Sequence, residues 1–161
     1  MTTCIIYHSY TGITRGIAEK VQAACGGDLV EVRPVREYTA LTAYTVGCYR
    51  ARNGTADPIE PANIDVSACD LVVIGTPVWA WRATPAINGA IAALKGCQGK
   101  RAVLFATCGA QTGDTLPILA RALQSKGVEV AGQIAFNSKD LDDPVKLNVL
   151  FAAVKAARER A

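Results

Sequence analysis

The chain has 161 residues, half of them apolar, with 17 basic and 14 acidic residues and a formal net charge of +3. This length fits one ordinary domain, and this apolar content excludes an intrinsically disordered chain. The positive charge is small and spread along the chain, so it does not indicate an arm that binds nucleic acid. We therefore expect a single domain over residues 1–161 with no nucleic-acid partner.

The N-terminus and the longest apolar run bear on location. The first three residues lead directly into an apolar run, without the basic region of a signal peptide. The longest apolar run, residues 71–81, is broken by Gly75 and Pro77 and is shorter than the roughly 20 residues that span a bilayer. These features predict a cytoplasmic protein with no membrane partner.

The cysteines do not indicate a metal site. No two of the six form a C-x-x-C pair, and the lone His8 belongs to no cluster of ligands. In a cytosolic chain with a large core, free cysteines mostly behave as small buried apolar residues. We predict that behaviour for five of them, Cys4, Cys25, Cys48, Cys69 and Cys97.

Short apolar runs alternate with helical periodicity along most of the chain. The runs predict strands over residues 3–8, 28–33, 69–75, 102–107 and 128–136. Apolar residues three or four apart predict helices over residues 13–25, 87–94, 116–123 and 144–154. Residues 37–64 have no sustained period, and we expect an irregular connection there with one helical turn.

Strands that alternate with helices predict a parallel sheet with helices on both faces. We expect a three-layer, doubly wound α/β fold with five strands in the order 2-1-3-4-5, because this order suits a chain of this length. Ligands of such sheets bind beyond the carboxyl ends of the strands, at the switch point between the first and third strands. The candidate loops are therefore residues 8–14, 75–85 and 107–114.

The first loop joins the first strand to the first helix. Its hydroxyl residues surround Gly12 and are Ser9, Thr11 and Thr14. A helix N-terminus offers free N–H groups and a positive dipole end, and Gly12 permits close backbone approach, so this loop suits a phosphate monoester. It lacks both the G-K-[ST] ending of a P-loop and the G-x-G-x-x-G pattern. The alternative is that one hydroxyl simply caps the helix.

The second loop contains the chain's two tryptophans, Trp79 and Trp81. Pro77 and Pro85 stiffen this loop. A tryptophan at a strand end is well placed to stack on a flat aromatic ligand, and Trp79 lies nearer the strand end. The alternative is that these side chains seal the sheet edge or contact a partner.

The third loop, residues 107–115, is rich in small and polar residues. Gly109 and Gly113 permit close backbone approach. Asp114 or Thr115 is an expected N-cap of the next helix. Cys108 would either contact a bound ring or serve only as a small neutral residue. Hydrogen bonds to a polar ring edge are offered by Thr107, Gln111 and Thr112.

These loops carry a resemblance to a known family. Loop one matches the flavodoxin phosphate-loop pattern [ST]-x-T-G-x-T at Ser9, Thr11, Gly12 and Thr14. The stretch C-Y-R-A-R, residues 48–52, followed by D-L-V-V-I-G-T-P-V-W-A-W, resembles small flavodoxin-like proteins of anaerobic microbes. Nearly the whole chain is similar to the flavodoxin-like family in strand order and loop placement. The resemblance implies FMN as the cofactor.

The resemblance also implies which residues hold the FMN. Loop one would bind the phosphate through hydroxyl and backbone N–H groups, Thr76 and Pro77 would lie along the ribityl chain, and Trp79 would flank the isoalloxazine. Residues 107–113 would border the pyrimidine end of the ring. No residue is assigned a catalytic role. The predicted cofactor-binding residues are Ser9, Tyr10, Thr11, Gly12, Ile13, Thr14, Thr76, Pro77, Val78, Trp79, Trp81, Thr107, Cys108, Gly109, Gln111 and Gly113.

The function implied first is electron transfer between protein redox partners. The alternative is a small NAD(P)H-dependent FMN or quinone oxidoreductase, in which residues 37–64 cover the flavin and shape a substrate pocket. The residues of interest there are Tyr44, Tyr49, Arg50 and Arg52. A solvated connection is the simpler interpretation of that region. The third hypothesis for the function is a member of the family that binds no cofactor. The oligomeric state stays open between a monomer and a homodimer.

Overall fold

A parallel sheet forms the centre of the molecule, for which the computed structural model describes residues 2–160. The central strands pair in parallel in the order Asp28–Glu31, Thr3–Tyr7, Leu71–Trp79, Arg101–Cys108 and Glu129–Asn137. Numbered along the chain, this is the order 2-1-3-4-5, so the predicted fold is confirmed. The strands of the described residues are β1 (Thr3–Tyr7), β2 (Asp28–Glu31), β3 (Arg33–Pro34), β4 (Ile59–Glu60), β5 (Ile64–Asp65), β6 (Leu71–Trp79), β7 (Arg82–Ala83), β8 (Leu94–Lys95), β9 (Arg101–Cys108) and β10 (Glu129–Asn137).

Helices cover both faces of this sheet. Residues from α1 (Ile13–Cys25) and α6 (Pro144–Glu159) share one buried apolar cluster, and residues from α4 (Pro85–Ala93) and α5 (Thr115–Gln124) share the other. Side chains alternate between the clusters along β1, as the period of two in a strand requires. The helices of the described residues are α1 (Ile13–Cys25), α2 (Ala40–Thr42), α3 (Cys48–Arg52), α4 (Pro85–Ala93), α5 (Thr115–Gln124) and α6 (Pro144–Glu159).

Residues 34–58, which we call the outer segment, are more ordered than the sequence predicts. Instead of one helical turn, helix runs from Ala40 to Arg52, because a π-helical stretch, Ala43–Gly47, joins α2 to α3. Thr39 and Thr42 form a reciprocal capping box that begins this run. The helical period of this segment is hard to recognise in the sequence, because several of its large apolar side chains are exposed instead of packed in the core.

The cysteine prediction was wrong for one pair. Cys4 and Cys69 form a disulfide with their Cα atoms 6.0 Å apart. Cys4 lies in β1 and Cys69 precedes β6, and these two strands pair in register, so residues distant in sequence meet at the start of the sheet. The spacing of cysteines along the chain could not show this. Cys25 and Cys97 are free and buried as predicted, and Cys48 is free but only half-buried.

The membrane prediction can be compared with the helices of residues 2–160. None of them combines the length and the apolar character that crossing a bilayer requires. Nor do the described residues bring three or more His, Cys, Asp or Glu side chains together in a way that could hold a metal ion.

Candidate functional site

The first loop leaves the start of α1 open. Gly12 is the N-cap, with φ of 93°, and no side chain caps the first turn. Its own N–H donates to the hydroxyl of Ser9 at 3.0 Å, which curls the loop back on itself. The N–H groups that begin a helix lack partners within it, so this end of α1 presents donors and a positive dipole to an anion.

Space and polarity at this loop suit a phosphate. A Cβ atom built on Gly12 would meet no atom within 4 Å, so the space beside the loop is open. Thr11 is exposed and Ser9 is half-buried. The predicted capping role for a hydroxyl is not observed at α1, because the N-cap is a glycine. The loop therefore keeps its donors available for a ligand.

A buried hydrogen bond joins the first loop to the third. The hydroxyls of Thr14 and Thr107 lie 2.8 Å apart and both side chains are buried. A hydroxyl can donate once and accept twice, so Thr14 can still donate to a phosphate while it accepts from Thr107. The structure therefore brings two of the predicted loops together at one edge of the sheet.

The second loop is a tight hairpin, more regular than the sequence predicts. Strand β6 continues to Trp79 and pairs antiparallel with β7. The turn residues Ala80 and Trp81 have φ of 49° and 62°, which non-glycine residues rarely adopt. The hydroxyl of Thr76 donates to the Pro77 carbonyl at 2.8 Å and accepts from a backbone N–H at 3.3 Å, so it already serves the backbone.

The two tryptophans have different surroundings. Trp79 meets Tyr10, Tyr38 and His8 edge to face, with ring centroids 5.5, 5.3 and 6.1 Å away. Gly47 of the outer segment also touches its ring, because a Cβ there would lie 2.7 Å from the Trp79 Cζ3 atom. Trp79 is therefore held between the first loop and the outer segment.

Trp81, by contrast, is 55% exposed at the tip of the hairpin. It packs on the third loop, since a Cβ built on Gly113 would lie 2.5 Å from the Trp81 Cβ atom. Arg82 and Asp114 add an ion pair of 3.6 Å between the same two loops. The hairpin tip and the third loop thus form one surface, on which Trp81 presents a free aromatic side chain.

The third loop offers a ligand mainly backbone and side-chain amide groups, not reactive side chains. Gly109 and Gln111 are exposed, and Cys108 is half-buried with its thiol 3.5 Å from the Phe136 carbonyl oxygen. Burial raises the pKa of the Cys108 thiol, and the Asp140 carboxylate acts in the same direction. The thiol is therefore neutral at physiological pH, which suits the predicted role of a small neutral residue.

Sequence reasoning did not select His8 as a site residue, although it contacts Trp79 and lines a cavity with Ser9 and Tyr10. Its Nδ1 atom lies 2.9 Å from the hydroxyl of Thr84, in buried surroundings. Burial lowers the pKa of His8 to about 4, and the carboxylates of Glu31 and Asp57 offset this only in part. The imidazole is therefore neutral at pH 7, and its ring meets that of Trp79 edge to face.

Tyr38 and Gly47 are the other neighbours of Trp79 that the sequence did not reveal. Both lie in the outer segment, whose sequence has no regular spacing of apolar residues from which the direction of their side chains could be predicted. Tyr38 lines two adjacent cavities. One, of about 230 Å³, is shared with Ser9 and Tyr10 of the first loop. The other, of about 560 Å³, lies within the outer segment, away from the three strand-end loops.

The sheet order and the open phosphate loop define a flavodoxin-like α/β protein. The family model described as Flavodoxin matches residues 2–126, and the chain belongs to this family. Membership of the family confirms the prediction of FMN as the cofactor. The assignment of individual FMN-binding residues stays a prediction, with which the open α1 N-terminus and the joined loops are compatible.

Solved structures are similar over nearly the whole chain. A Bacteroides eggerthii protein described as a putative flavoprotein is 24% identical with a TM-score of 0.77, over 96% of this chain and 98% of that one. A flavoprotein from Lactobacillus acidophilus in complex with FMN is 22% identical, with a TM-score of 0.71 over 90% and 99% of the two chains. Megasphaera elsdenii flavodoxin is 20% identical, with a TM-score of 0.62 over 96% and 99%. At these identities the likeness concerns the fold. No curated protein matches the sequence.

Proposed function

We propose that this protein carries electrons between protein redox partners through one FMN bound at the three strand-end loops. The observation that carries the proposal is the surface around these loops. Tyr10, Ile13 and Trp81 are all exposed large apolar side chains on the loops that would hold the FMN. Exposed apolar side chains grouped at one site are typical of a surface that another protein contacts.

The roles of the chain's own residues follow from their geometry. The α1 N-terminus and the hydroxyls of Ser9 and Thr11 would hold the phosphate, and the surface formed by Trp81 and Gly113 would border the ring. Bound FMN supplies the ability to accept and release electrons, and the surrounding residues tune it. The buried, neutral His8 adds no charge near this site at physiological pH.

Two measurements test the proposal. The purified protein is mixed with FMN, freed of excess, and examined for retained flavin absorption; a colourless protein would refute the FMN site. The FMN-loaded protein is then mixed with NADPH, with and without a flavodoxin reductase. A carrier is reduced only when the reductase is present, whereas rapid reduction by NADPH or NADH alone would contradict the carrier role.

A second candidate function is the reduction of a small molecule by the same FMN. The cavity of about 560 Å³ in the outer segment favours it, because the cavity has the size of a small-molecule site and shares Tyr38 with the smaller cavity beside the first loop. Rapid FMN reduction by NADH or NADPH alone, followed by reoxidation by an added quinone, would support this role over the carrier role.

A further inference from the structure

The helical run from Ala40 to Arg52, which we call the outer helix, turns small residues toward its own chain. Its buried positions are Ala43, Gly47 and Ala51, at a spacing of four. Small side chains let the helix lie close to the molecule, and Gly47 touches the ring of Trp79. Because these side chains are small, the outer helix buries little apolar surface against its own chain.

Large apolar side chains lie on the other side of the outer helix. Leu41, Tyr44 and Tyr49 are 74%, 83% and 71% exposed. Leu41 and Tyr49 are two positions away from buried residues, which in a helix is the opposite face. A surface helix normally buries side chains of this size, and their grouping on one exposed face is typical of a contact surface. The outer helix therefore presents an apolar face to another molecule.

The exposed apolar residues are arranged symmetrically about Thr45. Leu41 and Tyr49 lie four positions before and after it, and Tyr44 and Val46 lie one position before and after it. When two copies of this helix pack antiparallel across a two-fold axis at Thr45, Leu41 comes beside the partner's Tyr49. A two-fold interface requires a surface that is complementary to itself, and this spacing meets that requirement.

The charges at the two ends of the outer helix fit the same arrangement. Glu37 precedes the helix and Arg52 ends it; both are exposed, and neither forms an ion pair with the described residues 2–160. Antiparallel packing brings Arg52 near the partner's Glu37, and the symmetry forms this pair twice. It also places opposite ends of the two helix dipoles together. Arg36 lies next to Glu37 and offsets part of the attraction, so the apolar side chains must supply most of the binding.

We propose that the outer helix joins two copies of this chain into a homodimer across a two-fold axis near Thr45. The symmetric apolar face and the opposite charges at its ends are the observations that select a second copy. A buried tyrosine side chain contributes about 150–250 Å², so this helix alone falls short of the roughly 800 Å² per partner of a standard interface. The dimer is therefore reversible and depends on protein concentration.

This inference does not rest on the proposed function. Tyr10, Ile13 and Trp81, which that function assigns to a redox partner, lie outside the outer helix. The dimer would instead cover the segment whose Gly47 contacts Trp79.

Sedimentation velocity of the purified protein in the presence of FMN, from about 1 to 500 μM, measures the dimer dissociation constant. The main variant is Tyr44→Glu, which brings two carboxylates close together across the axis. The control is Val145→Glu on α6, because Val145 is also strongly exposed, at 71%. We expect the wild type and Val145→Glu to dimerise equally, and Tyr44→Glu to dimerise at least tenfold more weakly. If Tyr44→Glu does not fold, Tyr49→Glu replaces it with the same expectation.

An exchange of charges tests the antiparallel arrangement. Glu37→Arg and Arg52→Glu should each weaken the dimer about fivefold, because each replaces two symmetry-related exposed ion pairs with like charges. The variant that carries both changes should return to within about twofold of the wild type. Such a return requires that the two side chains meet across the interface.

A wild type that stays monomeric over the whole concentration range would overturn the inference and assign the apolar face to a different protein. A dimer that Tyr44→Glu leaves as stable as before would place the interface elsewhere and also overturn it. No recovery in the doubly exchanged variant would contradict the antiparallel packing on which the proposal depends. A dimer that retains no FMN would refute the proposed function and leave this inference intact.

Discussion

The strand-end loops and the outer segment lie on either side of Trp79 and are held in place differently. The loops follow long buried strands, so the ladders of the sheet fix where they begin. The outer segment is flanked by the two-residue strands β3 and β4 and depends on side-chain bonds to Asp57. The comparison shows that one edge of the site inherits its geometry from the sheet, whereas the other depends on short strands, a capping box and the side-chain bonds of one buried carboxylate.

Removal of that carboxylate should have the largest effect. In Asp57→Ala, Tyr38 and Arg50 lose their shared partner, and loss of one member of a buried ion pair costs about 3 kcal/mol. We expect the free energy of unfolding, measured in urea, to fall by about this amount, since Asp57 is buried although Arg50 is about one-third exposed. FMN phosphate binding should change much less, because the first loop does not depend on Asp57.

The matched control is Asp142→Ala, which also breaks an ion pair, with Lys20, but at an exposed carboxylate. Exposed pairs contribute little, so the expected loss is below about 0.5 kcal/mol. Equal losses in the two variants would show that the outer segment does not depend on Asp57.

The first loop can be tested by removal of one hydroxyl. Thr11→Val keeps the shape of the side chain but removes a donor that we assign to the phosphate. A hydrogen bond to a charged group contributes about 2 kcal/mol, so the FMN dissociation constant measured by calorimetry should rise about 30-fold. Riboflavin, which lacks the phosphate, serves as the control ligand. An equal loss for both ligands would place Thr11 elsewhere than on the phosphate.

His8 joins the two regions and gives a pH-dependent prediction. Its pKa is about 4 when folded and 6.5 when unfolded, so the unfolded chain binds more protons between these values, and stability falls as pH falls through this window. From pH 7 to pH 5 this group alone should lower the free energy of unfolding by about 2 kcal/mol. His8→Asn should remove this component of the pH dependence.

The measurement is direct because the chain contains one histidine. Its imidazole proton signals in the NMR spectrum of the folded protein should stay constant from pH 8 to pH 5 and begin to shift only near pH 4. A midpoint near 6.5 would contradict the buried, neutral imidazole.

The smallest expected effect concerns the hairpin tip. Ala80 has φ of 49°, in the left-handed region that costs a non-glycine residue about 1 kcal/mol. Ala80→Gly should therefore raise the unfolding free energy by up to about 1 kcal/mol. Ala62→Gly, at an exposed position outside the positive-φ residues, should instead lower it slightly. A loss of stability in Ala80→Gly would show that the turn is not strained.

The same contrast explains what could be predicted from the sequence. The unbroken apolar run Leu71 to Ile74 and the four-residue spacing from Ile13 to Cys25 are set by burial, so the alternating strands and helices, and with them the three loops, could be predicted. The sheet order followed from the length of the chain and the number of strands. The clustering of Ser9, Thr11 and Thr14 around Gly12 predicted an anion site on chemical grounds, because the strand and helix patterns place this loop at a helix N-terminus. Such patterns report which face of an element is buried.

The contacts of Trp79 could not be predicted because they are tertiary. Tyr38 and Gly47 lie in the outer segment and contact Trp79. The sequence of this segment has neither the two-residue period of a strand nor the four-residue spacing of a helix. The partners Cys4 and Cys69 are 65 residues apart and meet only through strand pairing. In each case the contact depends on where an irregular or distant segment lies in the folded molecule, and the local pattern contains no signal of it.

The central claim is that loop one holds the phosphate of FMN, and phosphorus-31 NMR of the protein with one equivalent of FMN tests it most directly. A free phosphate monoester takes up a proton with a pKa near about 6. Held by the N–H groups of α1 and the hydroxyls of Ser9 and Thr11, the bound phosphate should stay a dianion, and its signal should not shift between pH 8 and pH 5.5. A bound FMN whose phosphorus signal titrates near pH 6, as in free FMN, would contradict this assignment.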